Sequence, residues 1–371
     1  MTSALFQPIK LRGLSLPNRI MVSPMCQYSA TNGNAGDWHL IHLGQLALGG
    51  VGLLCIEATA VEAVGRITPG CLGLYSDENE QALRRVIAAL RQQADTPLAI
   101  QLAHAGRKGS SHTPWDGSKL IERKDGGWLP IAPSALAFSP SEPPPRDMSA
   151  ADLERVREAF VRAAQRAARL GLDAVELHAA HGYLLHEFLS PLANQRGDSY
   201  GGSLENRMRF PLEVFAAVRK VWPDEKPLGV RISASDWIEG GWDLAQSLEF
   251  SRRLKALGCD WIDASSGGLA PGQKIALGPG YQVPFAEAIR RDASIATIAV
   301  GLITEPKQAE EIVATGRADM VALARGLLWE PHWAWRAAAE LGGELSAPKQ
   351  YWRAPPRGAE AIFHGASVGQ R

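Results

Sequence analysis

The chain is poor in the features that mark several protein classes. Its four cysteines, Cys26, Cys55, Cys71 and Cys259, stand alone with no Cys-x-x-Cys pair. That spacing argues against a zinc ribbon or a disulfide framework and fits a reducing cytoplasm. There is no excess of one charge: 39 Lys and Arg balance 39 Asp and Glu. Nothing in that balance favours nucleic acid or an anionic membrane as a partner. Met1 to Leu16 contain no long apolar run, so neither a signal peptide nor a membrane span is expected. No Gly-x-Gly-x-x-Gly opens the first helix, which disfavours a doubly wound dinucleotide fold. Tandem repeats and low-complexity tracts are also missing. Eleven tryptophans suggest aromatic pockets or interfaces but decide little alone.

What is present is a regular alternation. Hydrophobic residues make up 46% of 371 positions, enough for a large core. Short runs that are apolar on both faces, as in a covered parallel sheet, predict strands at 19–23, 51–57, 97–102, 173–177, 227–232, 260–264, 297–300 and 319–323. Between them lie amphipathic segments. Residues 77–93 begin with the acidic cap-like Asp77-Glu-Asn-Glu80, and residues 149–170 begin Ser149-Ala-Ala-Asp152 and stop at Gly171. Residues 204–221, 244–257, 284–292 and 304–315 repeat the theme. The fold this predicts is α/β, a single (β/α)8 TIM barrel spanning 1–371. A β-hairpin over residues 8–18 precedes it. A long Gly- and Pro-rich excursion over 104–148, after the third strand, is expected to hold a small hairpin over the mouth. A tail follows from 342 to 371, flexible from Gly365 on.

Barrels of this kind do chemistry at the C-terminal ends of their strands. Read in order, those ends give Ser23-Pro-Met-Cys26, Glu57-Ala58, Gln101, His178 and His181, Arg231, Gly301, and Ala324-Arg325. The densest is Asp173-Ala-Val-Glu-Leu-His-Ala-Ala-His-Gly-Tyr183. There two histidines three apart, as on one helical turn, face a common point with Tyr183 close by. A His-x-x-His pair can also ligate zinc, but no cysteine or carboxylate supplies an evident third ligand, so no metal is expected. The turns at Gly301 and Ala324-Arg325 lie where barrels hold phosphates. A phosphate-bearing cofactor is therefore expected; the plainer alternative is that Gly301 and Gly326 only make tight turns and Arg325 is an exposed charge. Read alone, Cys26 is a buried small hydrophobe, and Tyr28 reads as readily as a core tyrosine as it does as a pocket wall; Arg231, a charge inside an otherwise apolar strand, needs a partner, and an anionic ligand is preferred to a buried ion pair.

The segments Ser23-Pro-Met-Cys-Gln-Tyr28, Glu57-Ala-Thr-Ala60, Gln101-Leu-Ala-His-Ala-Gly-Arg107, His178-Ala-Ala-His-Gly-Tyr183, Tyr200-Gly-Gly-Ser-Leu-Glu-Asn-Arg207 and Val230-Arg-Ile-Ser233 together resemble the old yellow enzyme family of FMN-dependent ene-reductases. Cys26 and Tyr28 resemble its thermophilic-like, xenobiotic reductase subgroup. The resemblance implies FMN held by Ser23, Pro24, Met25, Cys26, Ala58, Gln101, Arg231, Gly301, Ala324 and Arg325. Ala324 departs from the subgroup's commoner glycine; it keeps an N–H but would resist a left-handed backbone. The resemblance further implies NADPH (or NADH) as donor and an enone or nitro compound as substrate. His178 and His181 would polarise that substrate, Tyr183 would act as general acid, and Tyr28 would close the pocket. Arg353, in the tail segment Gln350-Tyr-Trp-Arg353, would reach a neighbouring subunit's site in a homodimer or homotetramer. The alternatives are a flavin-binding sensor without turnover and a barrel reductase acting on a CoA-linked dienoyl substrate.

Overall fold

The computed structural model describes residues 3–367. A hairpin of β1 (Ile9–Leu11) and β2 (Leu14–Leu16) comes first, paired antiparallel. The barrel strands are β3 (Ile20–Val22), β4 (Leu53–Ala60), β5 (Leu98–Ala103), β8 (Ala174–Ala179), β9 (Leu228–Ser233), β10 (Trp261–Ser265), β11 (Ala296–Ala299) and β12 (Met320–Leu323). The short strands β6 (Ile131–Ala132) and β7 (Arg146–Asp147) lie outside it. The eight form one closed barrel in chain order, all neighbours parallel, closed by β12 on β3. The predicted (β/α)8 architecture and its leading hairpin are thus observed.

Around the barrel run α1 (Asp37–Ala47), α2 (Asp77–Gln93), α3 (Ala150–Arg169), α4 (Leu184–Leu189), α5 (Leu204–Val221), α6 (Leu244–Ala256), α7 (Val283–Ala293), α8 (Pro306–Ala314), α9 (Arg325–Trp329) and α10 (Trp333–Leu341). Their starts follow capping chemistry. Ser149 accepts from the Asp152 amide while the Asp152 carboxylate accepts from Ser149 N, a capping box at the predicted place. In α2 the cap is Ser76, one residue earlier than the sequence suggested; its hydroxyl accepts from Asn79 N. Among the described residues no helix is long and apolar enough to cross a membrane.

Residues 104–148 form the expected excursion of short 3-10 turns. Its two short strands are not a hairpin: β6 and β7 pair in parallel, Ile131 with Arg146. Thirteen residues separate the strands, so the chain loops out and returns in the same direction. The tail folds back on its own chain. Leu345 N donates to Ile362 O and His364 N to Leu345 O, both at 2.9 Å. Tyr351 packs against His332 and Trp335. The flexibility expected from Gly365 concerns residues that lie mostly outside the described range, which ends at 367.

Alternate residues of each strand face the lumen. At its base Leu53, Ala99, Ala174, Ile298 and Met320 form one apolar cluster with Leu11 and Leu16, so the hairpin plugs the bottom of the barrel. Trp261 fills the space on β9 that Gly229 leaves empty: a Cβ on Gly229 would lie 1.9 Å from the indole Cε2. The Trp261 indole N–H then reaches Glu176 Oε2 at 3.1 Å. Gly229→Ala is expected to lose about 3 kcal/mol, the upper end for an overpacked core. Urea unfolding checks this; an unchanged midpoint would show that Trp261 has room to move.

Candidate active site

At the end of β8 the chain leaves the sheet through Ala180, and His181 adopts φ +57°. This left-handed step, not the helical turn the sequence suggested, brings the two histidines together. A β-strand would have sent their side chains along different directions. The step is enforced from outside. The 265–269 turn presses so close that a Cβ on Gly268 would lie 2.6 Å from the His181 Cα. Ser233 Oγ accepts from the His181 amide at 2.9 Å. The His178 and His181 rings meet edge-on at 5.1 Å, and the Tyr183 ring lies 5.0 Å from His178. His178 is level with Arg231 on β9.

Behind this turn His186 on α4 is fully buried. Its Nδ1 accepts from Gly182 N at 2.9 Å, and its Nε2 stands 2.9 Å from Asp236 Oδ1. Burial raises the Asp236 carboxyl, but hydrogen bonds from His186, Ser190 and the Trp242 amide outweigh it and hold the group below its ordinary range. From α4, His186 thus holds the Gly182 amide and Glu187 the Arg107 amide.

Each predicted residue can now be placed. Ser23 is buried at the end of β3, and Pro24, Met25 and Cys26 follow it half-buried. Burial, then Cys71 and Glu57, push the Cys26 thiol well up, so it is a neutral thiol. Tyr28 has φ +53° and stacks edge-on with Trp115 at 5.6 Å. Ala58 is buried beside a bulge in β4. Gln101 lies inside the lumen, its Nε2 donating to Glu176 Oε1 at 2.9 Å. Arg231 has an ionic partner that sequence reasoning set aside: Nε is 3.2 Å from Asp263 Oδ2. Gly301, at φ +117°, follows β11. Ala324 caps α9 with φ −107°, so no left-handed strain arises there; the positive φ falls on Leu302 instead. Arg325 is exposed at the start of α9, and Arg353 is exposed on the tail.

The electrostatics at the mouth are uniform. Burial first, then Arg231, hold the His178 and His181 imidazoles well below their ordinary range, so both are neutral donors. His181 Nε2 lies 2.7 Å from Ser265 Oγ, so part of its hydrogen-bonding capacity is spent on the rim. Burial pushes the Tyr183 phenol well up, keeping its proton on.

Sequence reasoning missed Lys108. Its ammonium donates to His181 O (2.9 Å) and Gly268 O (3.2 Å) and lies 5.0 Å from the Tyr183 ring centroid. Burial draws it down to about 8. A lysine just beyond the buried strand β5 was the available signal. A cleft of about 480 Å³ lies elsewhere, lined by Asn18, Leu48, Thr96 and Pro348 at the opposite end of the barrel. It gathers no catalytic side chains.

Whether these residues suit a flavin can be judged from their unused bonds. Ser23 Oγ and His178 Nδ1 are buried polar atoms with no partner, both beside the mouth. Arg231 stands on the strand next to His178, and Ala58 presents only a methyl group. Such a set suits a planar, hydrogen-bonding, electron-accepting ring.

Fold and site together define a barrel oxidoreductase, and the comparisons with known proteins make the class specific. Residues 4–344 match the model of the NADH:flavin oxidoreductase / NADH oxidase family. An NADPH dehydrogenase of Geobacillus sp. (strain WCH70) is 49% identical over 355 residues, 95% of this chain and 99% of that one. Among solved structures, morphinone reductase in complex with tetrahydroNAD superposes with TM-score 0.75 at 28% identity, covering 98% of this chain and 95% of that one. A 2-naphthoyl-CoA reductase superposes with TM-score 0.80 at 28% identity over 89% of this chain, which spans about half (51%) of that protein. The chain belongs to the NADH:flavin oxidoreductase / NADH oxidase family, which bears out the old yellow enzyme resemblance, and it is an FMN-dependent oxidoreductase.

Two outcomes follow for the support behind the turn. Asp236→Asn is expected to destabilise the fold by about 3 kcal/mol, since it breaks a buried pair from one side. Because Asp236 is depressed in the folded state, its contribution is full above the ordinary carboxylate range and is lost as pH falls through the folded value. Denaturant titrations at neutral and acidic pH check this: the gap between wild type and variant should close in acid, and a constant gap would contradict it.

Proposed function

We propose that this enzyme reduces the activated C=C bond of α,β-unsaturated carbonyl or nitro compounds, with NADPH (or NADH) as the donor. The observation that carries the reading is the convergence of two neutral imidazoles and a protonated phenol at one barrel mouth, with Arg231 alongside. The bound FMN supplies the hydride. The names of the NADPH dehydrogenase relatives and the tetrahydroNAD complex of morphinone reductase support the nicotinamide donor.

The protein's own residues do the rest. His178 and His181 hydrogen-bond the carbonyl or nitro oxygen, drawing electron density from the β-carbon. Which ring nitrogen of His181 carries the proton is tied to its contact with Ser265 Oγ, whose own hydroxyl also reaches Gln282 Oε1. Tyr183 gives its proton to the α-carbon. Tyr28 and the edge-on Trp115 close one side of the pocket. Ser23, Pro24, Met25, Cys26 and Ala58 line the ring. Gln101 and Arg231 serve its pyrimidine edge, and backbone groups of Gly301, Ala324 and Arg325 receive the phosphate. The tail from 342 brings Arg353 to a neighbouring subunit's site in a homodimer or homotetramer, and truncation before 347 is expected to change flavin or substrate handling without unfolding the barrel. A CoA-thioester substrate is the weaker reading, because the full-length relatives are NADPH dehydrogenases.

Stopped-flow kinetics separate the roles. Tyr183→Phe is expected to slow reoxidation by cyclohexenone on the order of a hundredfold while reduction by NADPH changes little. Equal losses in both halves would reduce Tyr183 to a wall of the pocket. The enone half-reaction should also lose rate above about pH 8, where Lys108 discharges, and Lys108→Met should remove that limb. A limb that persists in the variant belongs to another group.

A further inference from the structure

The barrel lumen holds an uneven set of charges. Glu176 and Asp263 are wholly buried carboxyl groups, and Arg231 is nearly so. They lie on three adjacent strands, with Glu176 level with Gly229 and Arg231 level with Asp263. Below them is the apolar base of the lumen. Asp263 has the guanidinium 3.2 Å away, yet neither of its oxygens makes a hydrogen bond. Glu176 has only two neutral N–H donors, from Gln101 at 2.9 Å and Trp261 at 3.1 Å.

Two ionised carboxylates against one cation would seal a net negative charge in a dry interior. Such a charge is far more costly than the proton that removes it. Burial raises Asp263 too, but Asp263 has the guanidinium in contact, whereas Glu176 has only neutral donors, so the proton is assigned to Glu176. We propose that Glu176 is a neutral carboxylic acid in the resting enzyme, and that its proton, acting through the Gln101 amide, keeps Arg231's charge available to the reduced cofactor. The proposal rests on Gln101 and Arg231 lining the FMN.

The surroundings of Glu176 leave few other owners for a charge. From β4 it faces Cys55, from the approach to β10 Cys259, and on its own strand His178 follows two residues on. Burial raises both thiols and lowers the imidazole, so all three are neutral. The remaining strands present Met21, Ile298, Met320 and Ala322, which carry no charge. Only Arg231 and Asp263 are left. Burial, reinforced by Asp263 and opposed by Arg231, pushes Glu176 up to about 8. The proton is therefore on at neutral pH and leaves as pH rises past that value.

Protonation also sets what Gln101 offers. An ionised Glu176 accepts from the Gln101 amide nitrogen. A protonated Glu176 donates its O–H to the amide oxygen of the turned side chain, and the 2.9 Å contact suits either sense. In the second arrangement both amide hydrogens are free of Glu176 and can face the mouth, where negative charge gathers when a hydride arrives.

The balance is explicit. Two electrons and one proton, delivered as hydride, give the reduced cofactor one negative charge. Above about pH 8 that charge raises the proton affinity of Glu176, and one further proton moves from solvent to its carboxylate. Potentiometric titration of the FMN-loaded Lys108→Met variant, which removes the other group at the mouth that titrates near pH 8, should show the midpoint potential falling by one proton per two electrons below about pH 8 and by two between there and the higher value Glu176 takes in the reduced enzyme, a doubled slope. Infrared spectra of the same enzyme at neutral pH should contain the carbonyl stretch of a protonated carboxyl that fades above about pH 8. Glu176→Gln, which cannot titrate, should lose the band and, in the same Lys108→Met background, keep the single slope throughout. A slope that never doubles with Glu176 present, or a neutral-pH spectrum without that band, overturns the proposal; both tests stand even if the Glu176→Gln variant does not fold. Arg231→Lys separates the underlying site reading. If it leaves the flavin's spectrum and potential untouched, FMN does not lie at Arg231, and the link from Glu176 to the cofactor falls with it.

Discussion

An arginine cannot shed its charge inside a protein, and here one sits within a closed β-barrel. That cation constrains everything near it. It requires Asp263 on the next strand. It depresses His178 and His181, adding to the effect of burial, so that the imidazoles above it stay neutral. It supplies a fixed positive charge beside which a ring that gains electrons could be stabilised. The fold's part is to hold this group on a rigid strand, level with His178, and to keep water out from below with a plug of Leu11 and Leu16.

The second constraint is backbone geometry at the mouth. Tyr28, His181, Trp237 and Leu302 all adopt positive φ without being glycine. Such conformations persist only where surrounding contacts over-determine them, and they gather at working sites. At His181 the determinants are explicit: Ser233 holds its amide, Lys108 its carbonyl, and Gly268 backs its Cα. The neighbouring Gly182 amide is anchored by His186, itself set by Asp236. The rigidity of the histidine pair thus comes from several strands and loops at once.

Much of this was legible in the sequence because a parallel barrel writes its strands as short runs apolar on both faces. Each of the eight predicted runs overlaps an observed strand. The helix at 150–169 was marked by its capping box. What was not legible depended on contacts distant in the chain. The left-handed step at His181 is forced by a loop more than eighty residues away, and the parallel pairing of β6 with β7 follows from a return path that no local pattern encodes. Helix α1, with Trp38 and Ile41 turned to solvent, lacks the clean periodicity that marks α2. The lumen charges were legible but unused: Glu176 lies two residues before His178 and therefore on the same face of β8. Arg231's partner was misjudged because Asp263 sits inside an apolar-looking strand and becomes a neighbour only through the β9–β10 register.

The central claim is that one planar cofactor lies across the strand ends between the Arg231 side of the lumen and the paired imidazoles. A crystal structure of the FMN-loaded enzyme soaked with a phenol tests it most directly. The account predicts the ring's pyrimidine edge against Gln101 and Arg231, with the phenol oxygen within hydrogen-bond reach of His178 or His181. A flavin bound elsewhere, or a phenol oxygen held by neither histidine, would contradict it.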